Sequence, residues 1–175
     1  MYTRSEAIDM PRKVRKTEKQ WQKALTPEQY GVLRQGRTEQ PFSGKFNEFW
    51  ERGFYVCAAC RTPLFRSEAK YDHGTGWPSF SAPIDEKHLA FKDDYSLVMK
   101  RVEVRCAACG SHLGHVFDDG PAPTFLHYCI NSAAVDFLPA DPAAEKTAAP
   151  ASSPPGTAAQ DGHGAEGKRQ PKRSG

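Results

Sequence analysis

The sequence predicts a mainly β domain that is held together by a metal ion and preceded by short helices. From about Gly53 onward, Gly and Pro clusters separate short apolar runs, which is typical of antiparallel strands joined by turns. In the stretch 98–105 the valines stand at even-numbered positions and the charged residues at odd-numbered positions, with Lys100 as the exception. This alternation predicts a half-buried strand. Two Cys-Ala-Ala-Cys units, beginning at Cys57 and Cys106, supply four thiolates that suit one tetrahedral metal site.

Two short helices are predicted before the β region. Thr17 and Thr26 each stand three residues before a glutamine, as in a capping box. Pro27 falls at a first helical position, where its missing N–H is harmless, and Gly36 suits the left-handed residue that ends a helix. We expect these helices to form an arm that packs on the main domain.

Four runs are expected to be strands. They lie at 54–56, at 98–105, at 125–130 and at 134–138. Because the runs are short and bounded by turn residues, the sheets they form are expected to be mostly antiparallel.

The chain is predicted to divide into one domain, residues 16–138, and two tails. Residues 139–175 are rich in Ala, Pro, Ser and Gly, and they cannot bury enough apolar surface to offset the entropy of ordering. A disordered tail is therefore expected at 139–175. The opening residues 1–15 are expected to be flexible as well.

Composition excludes several classes of protein. The 175 residues carry a formal net charge of +3, which is too small to imply a nucleic-acid partner, and the basic residues between Arg12 and Lys19 are interpreted as a solvated helix face. No apolar run approaches the roughly 20 residues of a membrane span. The first residues lack the apolar core of a secretory signal. We expect a cytoplasmic protein in a reducing compartment, where paired cysteines are more often metal ligands or redox groups than structural disulfides.

The two cysteine pairs predict a structural zinc site whose ligands are Cys57, Cys60, Cys106 and Cys109. Each pair places two thiolates on a tight turn, and two such turns facing each other complete the tetrahedron and stabilise a small domain. Two disulfides or a redox-active pair are the alternatives. A thioredoxin-type pair needs a strand-to-helix context, and no helical pattern follows either pair.

Cys129 is the fifth cysteine and is left over from that site. A spare thiol that follows two histidines, His112 and His115, is a candidate nucleophile, because imidazole moves protons near neutral pH. The alternative is that both histidines satisfy backbone groups around the metal turn. Trp77 stands between Gly and Pro in a loop, a setting more typical of a pocket wall than of a core.

Several motifs together resemble one enzyme family. The cysteine pairs, Gly-Trp-Pro-Ser-Phe at 76–80, His-Leu-Gly-His-Val-Phe at 112–117 and Tyr-Cys-Ile-Asn-Ser at 128–132 are similar to those of the B-type methionine-R-sulfoxide reductases, in the same order. The resemblance implies two antiparallel sheets rolled around a small core (a β-tent), with helices outside and one structural Zn²⁺. It implies a peptide-methionine (R)-S-oxide reductase that acts mainly on oxidised proteins and is regenerated by thioredoxin or another thiol. A monomer is expected.

The resemblance also implies roles for single residues. Cys129 is the implied nucleophile, His115 and Asp119 are implied to handle the sulfoxide oxygen, and we expect Asp119 to orient His115. Trp77 is implied to receive the methyl group of the substrate. The other implied site residues are His112 and Asn131 on the catalytic side and His127 and Phe117 on the substrate side. A thiolate that attacks a sulfoxide sulfur becomes a sulfenic acid, which another thiol must reduce.

Two positions depart from the family pattern. Thr75 stands where many members have a cysteine that forms a disulfide with the nucleophile, so regeneration is expected to depend on an external thiol. His127 stands where many members have arginine. Because imidazole loses its charge near neutral pH, we expect thiolate activation to weaken as the pH rises through the titration of His127.

Two functions of other classes are alternatives. A non-catalytic module could use the same architecture and an aromatic cage at Trp77 to bind a small molecule or a peptide, although such a cage needs no thiol at Cys129. A zinc-ribbon nucleic-acid binder would need a basic face in the β domain, and residues 57–109 mix charges of both signs.

Overall fold

The computed structural model describes residues 11–140, which form two α-helices and two antiparallel sheets. The helices are α1 (Glu18–Ala24) and α2 (Pro27–Leu33). The strands are β1 (Gly53–Cys57), β2 (Pro63–Arg66), β3 (Lys70–Tyr71), β4 (Ser79–Phe80), β5 (Leu89–Asp94), β6 (Arg101–Cys106), β7 (His112–Phe117), β8 (His127–Ile130) and β9 (Val135–Pro139). Of the predicted flexible start and disordered tail, only 11–15 and 139–140 belong to the described residues, and the rest lies outside them.

The two sheets differ in size. The small sheet has the order β2-β1-β9, and the large sheet has the order β3-β4-β8-β7-β6-β5. Every neighbouring pair is antiparallel. The predicted mainly β fold with two antiparallel sheets is therefore confirmed.

Both helices begin where the sequence predicts. Thr17 and Thr26 cap them, each within a complete capping box. Trp21 on α1 and Leu33 on α2 are each 1% exposed and belong to the hydrophobic core, as expected for an arm packed on the domain. Gly36 follows α2 with a φ of 68°, which confirms the predicted left-handed residue. None of the helices in the described residues is long and apolar enough to cross a membrane.

Two strands begin two or three residues later than the sequence predicts. β6 begins at Arg101 and not near Val98, because Val98 is fully exposed in the turn that follows β5. Asp94 accepts a hydrogen bond from Arg101 at 2.8 Å and closes the base of that turn. β8 begins at His127, because Phe125 has a φ of 56°, outside the range of a strand.

The core between the sheets is rich in aromatic rings. Phe65 and Phe80 are stacked with their ring centroids 4.4 Å apart, and Tyr55 packs edge-on against Phe80 at 4.9 Å. Phe65 lies in β2 of the small sheet and Phe80 in β4 of the large sheet, so the stack joins the two sheets. Truncation of a buried Phe of this kind to Ala costs about 3–5 kcal/mol.

Strand β8 positions the residues of the candidate site. It lies between β4 and β7, and Cys129 pairs with Ser79 on one side and with His115 on the other. Because side chains alternate along a strand, His127 and Cys129 share one face while Tyr128 is buried on the other. Strand pairing therefore brings three motifs from separate parts of the chain to one place.

Candidate active site

Four cysteine sulfurs lie together where the two sheets meet. Cys57 Sγ is 3.7 Å from Cys109 Sγ, and Cys60 Sγ is 3.6 Å from Cys106 Sγ, so each of these distances joins one cysteine pair to the other. The four sulfur atoms lie within 4.8 Å of one another and could hold a metal ion. All four residues are free thiols, whereas a disulfide needs an S–S distance of about 2.05 Å. The alternative of two disulfides is therefore not the arrangement in the structure.

The two Cys-Ala-Ala-Cys turns, near copies in sequence, have matching geometry. In each turn the residue after the second cysteine donates its N–H to the carbonyl oxygen of the first cysteine at 2.8 Å. These residues are Arg61 and Gly110, with φ values of 67° and 72°. A hydroxyl oxygen lies 3.2 Å from the second sulfur of each turn, from Thr62 in the first and Ser111 in the second. Both turns thus present their sulfurs in the same way, as a shared site requires.

A pocket of about 130 Å³ opens beside Cys129. It combines aromatic rings, an imidazole, an amide, a guanidinium and a thiol. The residues that line it are Thr38, Trp77, Arg101, Gly114, His115, Phe117, Cys129 and Asn131. The volume is several times the ~30 Å³ that a water molecule occupies in the liquid, which suits one amino-acid side chain. Five predicted site residues line this pocket, whereas His112, Asp119 and His127 do not.

The Cys129 thiol is half-buried, and its surroundings favour the protonated form. Burial raises its pKa to about 11, and the negative charges of Asp119 and Glu39 act in the same direction. The Thr75 hydroxyl opposes this effect by interacting with the sulfur, although its buried oxygen has no full hydrogen bond within residues 11–140. Cys129 is therefore mostly a thiol near neutral pH.

His115 is held by Asp94. Its Nε2 lies 2.7 Å from Asp94 Oδ2, and the same oxygen accepts from Arg101 Nη2 at 2.8 Å. The expected pairing of His115 with Asp119 is wrong, because the turn after β5 brings Asp94 beside His115 while Asp119 lies beyond the end of β7. Burial lowers the pKa of His115, with Arg101 acting in the same direction and Asp94 opposing.

His112 also binds a carboxylate, because its Nδ1 lies 2.7 Å from Glu103 Oε1. Its ring packs edge-on against the ring of His115 with the centroids 5.5 Å apart. The alternative that both histidines satisfy backbone groups at the metal turn therefore does not hold. His112 reaches the pocket through its contact with His115.

Asp119 contacts two histidines on the other side of Cys129. Its Oδ1 lies 3.0 Å from His127 Nδ1, and its Oδ2 lies 3.3 Å from His73 Nε2. The rings of His73 and His127 are stacked, with centroids 3.8 Å apart and an interplanar angle of 14°. His127 has a side-chain exposure of 2%, so it is buried rather than placed on the substrate side. Burial lowers its pKa, and His73 acts in the same direction.

Asn131 and Trp77 are fixed by the backbone and side chain of Glu39. Asn131 Oδ1 accepts from the Glu39 N–H at 3.1 Å, and its Nδ2 donates to the carbonyl oxygen of Leu113 at 2.9 Å. Trp77 Nε1 donates to the Glu39 carbonyl oxygen at 3.1 Å. The Glu39 carboxylate accepts two backbone N–H groups of the 3-10 helix Ser132–Ala134, and burial raises its pKa. The segment after α2 thus sets the position of two pocket walls.

Gly114 allows the two central strands to approach each other at the pocket. A Cβ atom at this position would clash with the carbonyl oxygen of Cys129 on β8. The glycine between His112 and His115 is therefore required for the register that puts His115 opposite Cys129.

The sequence reasoning did not assign several residues to the site, among them Glu39, His73, Asp94 and Arg101. The charged residues at alternate positions of β6 were expected to form the exposed face of a half-buried strand. This face instead turns toward the histidines of β7, and the side chains of Arg101 and Glu103 are only 26% and 15% exposed. His115 was the available signal, because it pairs with Glu103 across β6 and β7. His112 has the opposite parity, and it meets the same charged face only through the irregularity in the register between Val104 and Arg105.

The chain is similar to proteins of one family. Residues 25–139 match the SelR domain. Over 124 residues the chain is 56% identical to the peptide methionine sulfoxide reductase MsrB of Methanosarcina barkeri, covering 71% of this chain and 87% of that protein. Over 127 residues it is 54% identical to the peptide methionine sulfoxide reductase MsrB of Bradyrhizobium diazoefficiens, covering 73% and 91%. Over 125 residues it is 49% identical to the mitochondrial methionine-R-sulfoxide reductase B3 of Mus musculus, covering 71% and 49%.

Proposed function

This chain belongs to the SelR domain family. We propose from this premise that it reduces the R epimer of methionine sulfoxide to methionine, with Cys129 as the nucleophile. The observation that carries the proposal is the pairing of Cys129 with His115 across β7 and β8, with both side chains lining one pocket. A thiol and a proton carrier facing the same small cavity are what sulfoxide reduction requires.

The first step forms a bond between Cys129 Sγ and the sulfoxide sulfur. The oxygen then moves from the substrate sulfur to Sγ, which breaks both the S–O bond of the substrate and the new S–S bond. The products are methionine and a cysteine sulfenic acid. Cys129 loses one proton and the transferred oxygen gains one. The step therefore consumes no proton overall, but it needs a group that carries the proton from the sulfur to the oxygen. His115 suits this role because Asp94 engages only its Nε2, and a lowered pKa lets the ring release a proton readily.

The pocket walls explain how a methionine side chain is held. Trp77 offers an indole face for the methyl group, and its ring nitrogen is already used by the Glu39 carbonyl oxygen. Sulfur gains positive character as the oxygen is protonated, and an electron-rich ring face stabilises that charge. Arg101 and Asn131 supply N–H donors on the polar side of the pocket, where the oxygen leaves.

The four-cysteine cluster is proposed to hold one structural Zn²⁺. Zinc–sulfur bonds of about 2.3 Å in a tetrahedron place the sulfurs roughly 3.8 Å apart. The observed 3.6 Å and 3.7 Å agree with that geometry. Cys57 ends β1 of the small sheet and Cys106 ends β6 of the large sheet, so the ion would link the two sheets. Bound zinc supplies stability here and no step of the reaction.

Regeneration is proposed to use an external thiol. The sequence has five cysteines, and the four other than Cys129 are assigned to the metal site. One thiol attacks the sulfenic acid to form a mixed disulfide and water, and a second thiol releases Cys129 with formation of the external disulfide. Thioredoxin is the proposed reductant, protein-bound methionine sulfoxide the proposed substrate, and a reducing compartment such as the cytoplasm the proposed location. Because one chain supplies every wall of the pocket, the protein is proposed to act as a monomer.

The proposal is tested with the separate R and S epimers of a blocked methionine sulfoxide and dithiothreitol as the electron source. Turnover of the R epimer alone is the expected result. If folded, zinc-loaded protein turned over neither epimer, the proposal would be contradicted. The result would favour a non-catalytic binding module, an alternative that the relatives do not support.

A further inference from the structure

His73 contacts Asp119 and His127, but it neither lines the pocket nor takes part in the proposed chemistry. It lies in the loop between β3 and β4, and its ring covers the ring of the buried His127 at 3.8 Å. Each of the two rings places one nitrogen near one oxygen of Asp119, at 3.3 Å from His73 and 3.0 Å from His127. Asp119 is therefore held at both oxygens by two parallel imidazoles.

We propose that His73 is a positioning residue for Cys129: by contacting the second oxygen of Asp119 and stacking on His127, it fixes the direction and the effective charge of this carboxylate. The proposal rests on Cys129 being the nucleophile of the proposed function. His73 does not line the pocket and acts through Asp119.

Proton counting supports a hydrogen-bond network that joins Asp119, His127 and Ser79. His127 Nδ1 faces a carboxylate, so it carries a proton, and its Nε2 lies 2.9 Å from Ser79 Oγ. Ser79 Oγ also lies 3.1 Å from the carbonyl oxygen of Trp77. If the single Ser79 proton points to Trp77, His127 must be doubly protonated. If it points to His127, the ring is neutral. Rotation of one hydroxyl group thus satisfies both charge states of His127.

The groups around the stack explain why the charge of Asp119 matters. The titratable groups there are His73, His127, Asp119, Tyr71 and Cys129. The Tyr71 ring lies 5.9 Å from each imidazole, and burial raises its pKa to about 12, so it stays neutral. Asp119 is then the negative charge nearest the stack, and it raises the pKa of Cys129. The hydrogen bond from His127 to one oxygen and the His73 nitrogen near the other reduce that effect.

The same three side chains could be read as a metal site, since their ligand atoms lie within 4.8 Å of one another. The stacking argues against it. A metal ion binds imidazole nitrogen in the plane of the ring at about 2.0–2.1 Å. Two planes that are nearly parallel and stacked at 3.8 Å do not meet at such a point. The geometry points to a shared carboxylate, not a shared ion.

The test is the alkylation of Cys129 by iodoacetamide in the zinc-loaded full chain, followed on the Cys129 peptide by mass spectrometry between pH 5.5 and 9. His73→Ala is expected to slow alkylation at pH 7.5 by about 3- to 10-fold, as expected for a further rise of up to one unit in the thiol pKa. His73→Gln keeps a donor near the Nε2 position and is expected to recover most of the rate. In turnover assays His73→Ala should lower kcat and leave KM unchanged.

A double-mutant cycle separates positioning from structure. If His73 acts through Asp119, His73→Ala in an Asp119→Asn background should change the alkylation rate by less than about 2-fold. Equal losses in both backgrounds, or an unchanged rate for His73→Ala alone, would overturn the proposal. A second Zn²⁺ per chain that His73→Ala removes would overturn it too, in favour of a metal site. Alkylation needs no sulfoxide, so these outcomes stand apart from any failure of the reductase activity.

Discussion

Asp94 at the end of β5 and His115 on β7 are joined at 2.7 Å, and the same carboxylate oxygen binds Arg101 of the pocket. The carboxylate that orients the proposed proton carrier therefore comes from a turn whose apolar tip, including Val98, is exposed. Movement of this turn would change the proton carrier and a pocket wall together.

Asp94→Asn is expected to lower kcat/KM for the R sulfoxide by about 10- to 100-fold, because misplacement of a proton carrier by about 1 Å has an effect of that size. Asp93→Asn is the matched control, since the neighbouring carboxylate pairs with Lys100 at the surface. Steady-state kinetics of the two variants check this. Equal losses in both would show that the turn matters only for its shape.

Cys129→Ser is expected to abolish turnover and leave the metal content unchanged, because the thiol lines the pocket and the proposed metal site uses the other four cysteines. Kinetics and zinc analysis on the same sample measure this. Residual turnover above the uncatalysed rate would remove Cys129 from its proposed role.

Cys57→Ser is expected to release the metal and unfold the domain. Structural zinc contributes about 10–16 kcal/mol in small zinc domains, which equals or exceeds the roughly 5–15 kcal/mol stability of a typical domain. Thermal denaturation followed by circular dichroism, with and without a chelator, tests this expectation. A metal-free variant with the melting temperature of the parent protein would argue against a structural ion.

Thr75→Cys is expected to form a disulfide with Cys129 after one turnover, because the Thr75 side chain already interacts with the Cys129 sulfur. Mass spectrometry under non-reducing conditions identifies the linked peptides. Thr75→Ser, which keeps the hydroxyl group, is the control and should give no such link. Continued accumulation of sulfenic acid in Thr75→Cys would show that the two side chains do not meet.

The protein is expected to be less stable at pH 5.5 than at pH 7.5. Burial lowers the pKa values of His115 and His127 in the folded state below the ordinary value of 6.5. The unfolded chain therefore binds more protons as the pH falls through that value, which reduces the free energy of unfolding. Urea unfolding at the two pH values measures the change. A double His115→Gln, His127→Gln variant should show a smaller dependence on pH.

The same lowered pKa changes an expectation drawn from the sequence. Thiolate activation was expected to weaken as the pH rises through the titration of His127, and that window now falls below pH 6.5. Between pH 7 and 8 the activation is expected to be flat with respect to His127. The sequence alone does not predict this, because the burial of His127 depends on stacking by His73 from a distant loop.

Local patterns predicted the features that depend on neighbouring residues. The capping boxes at Thr17 and Thr26 and the two metal turns follow from residues within a few positions of one another, and the structure confirms those caps. The pairing of Asp94 with His115 was not predictable in this way. It depends on where a hairpin turn ends, and that end was predicted three residues too early, at Val98 rather than Arg101. Asp119 was expected to orient His115 because the family resemblance assigns both residues to the sulfoxide oxygen.

The position of Cys129 within a central strand limits how this protein can vary or be redesigned. Insertions in the connection between β7 and β8 add length outside the ladder, which surface loops tolerate. A single inserted residue inside β8 would instead exchange the two faces of the strand. Tyr128, now 2% exposed, would enter the pocket and the thiol would enter the core. Loop length is therefore open to engineering at this site, and strand length is not.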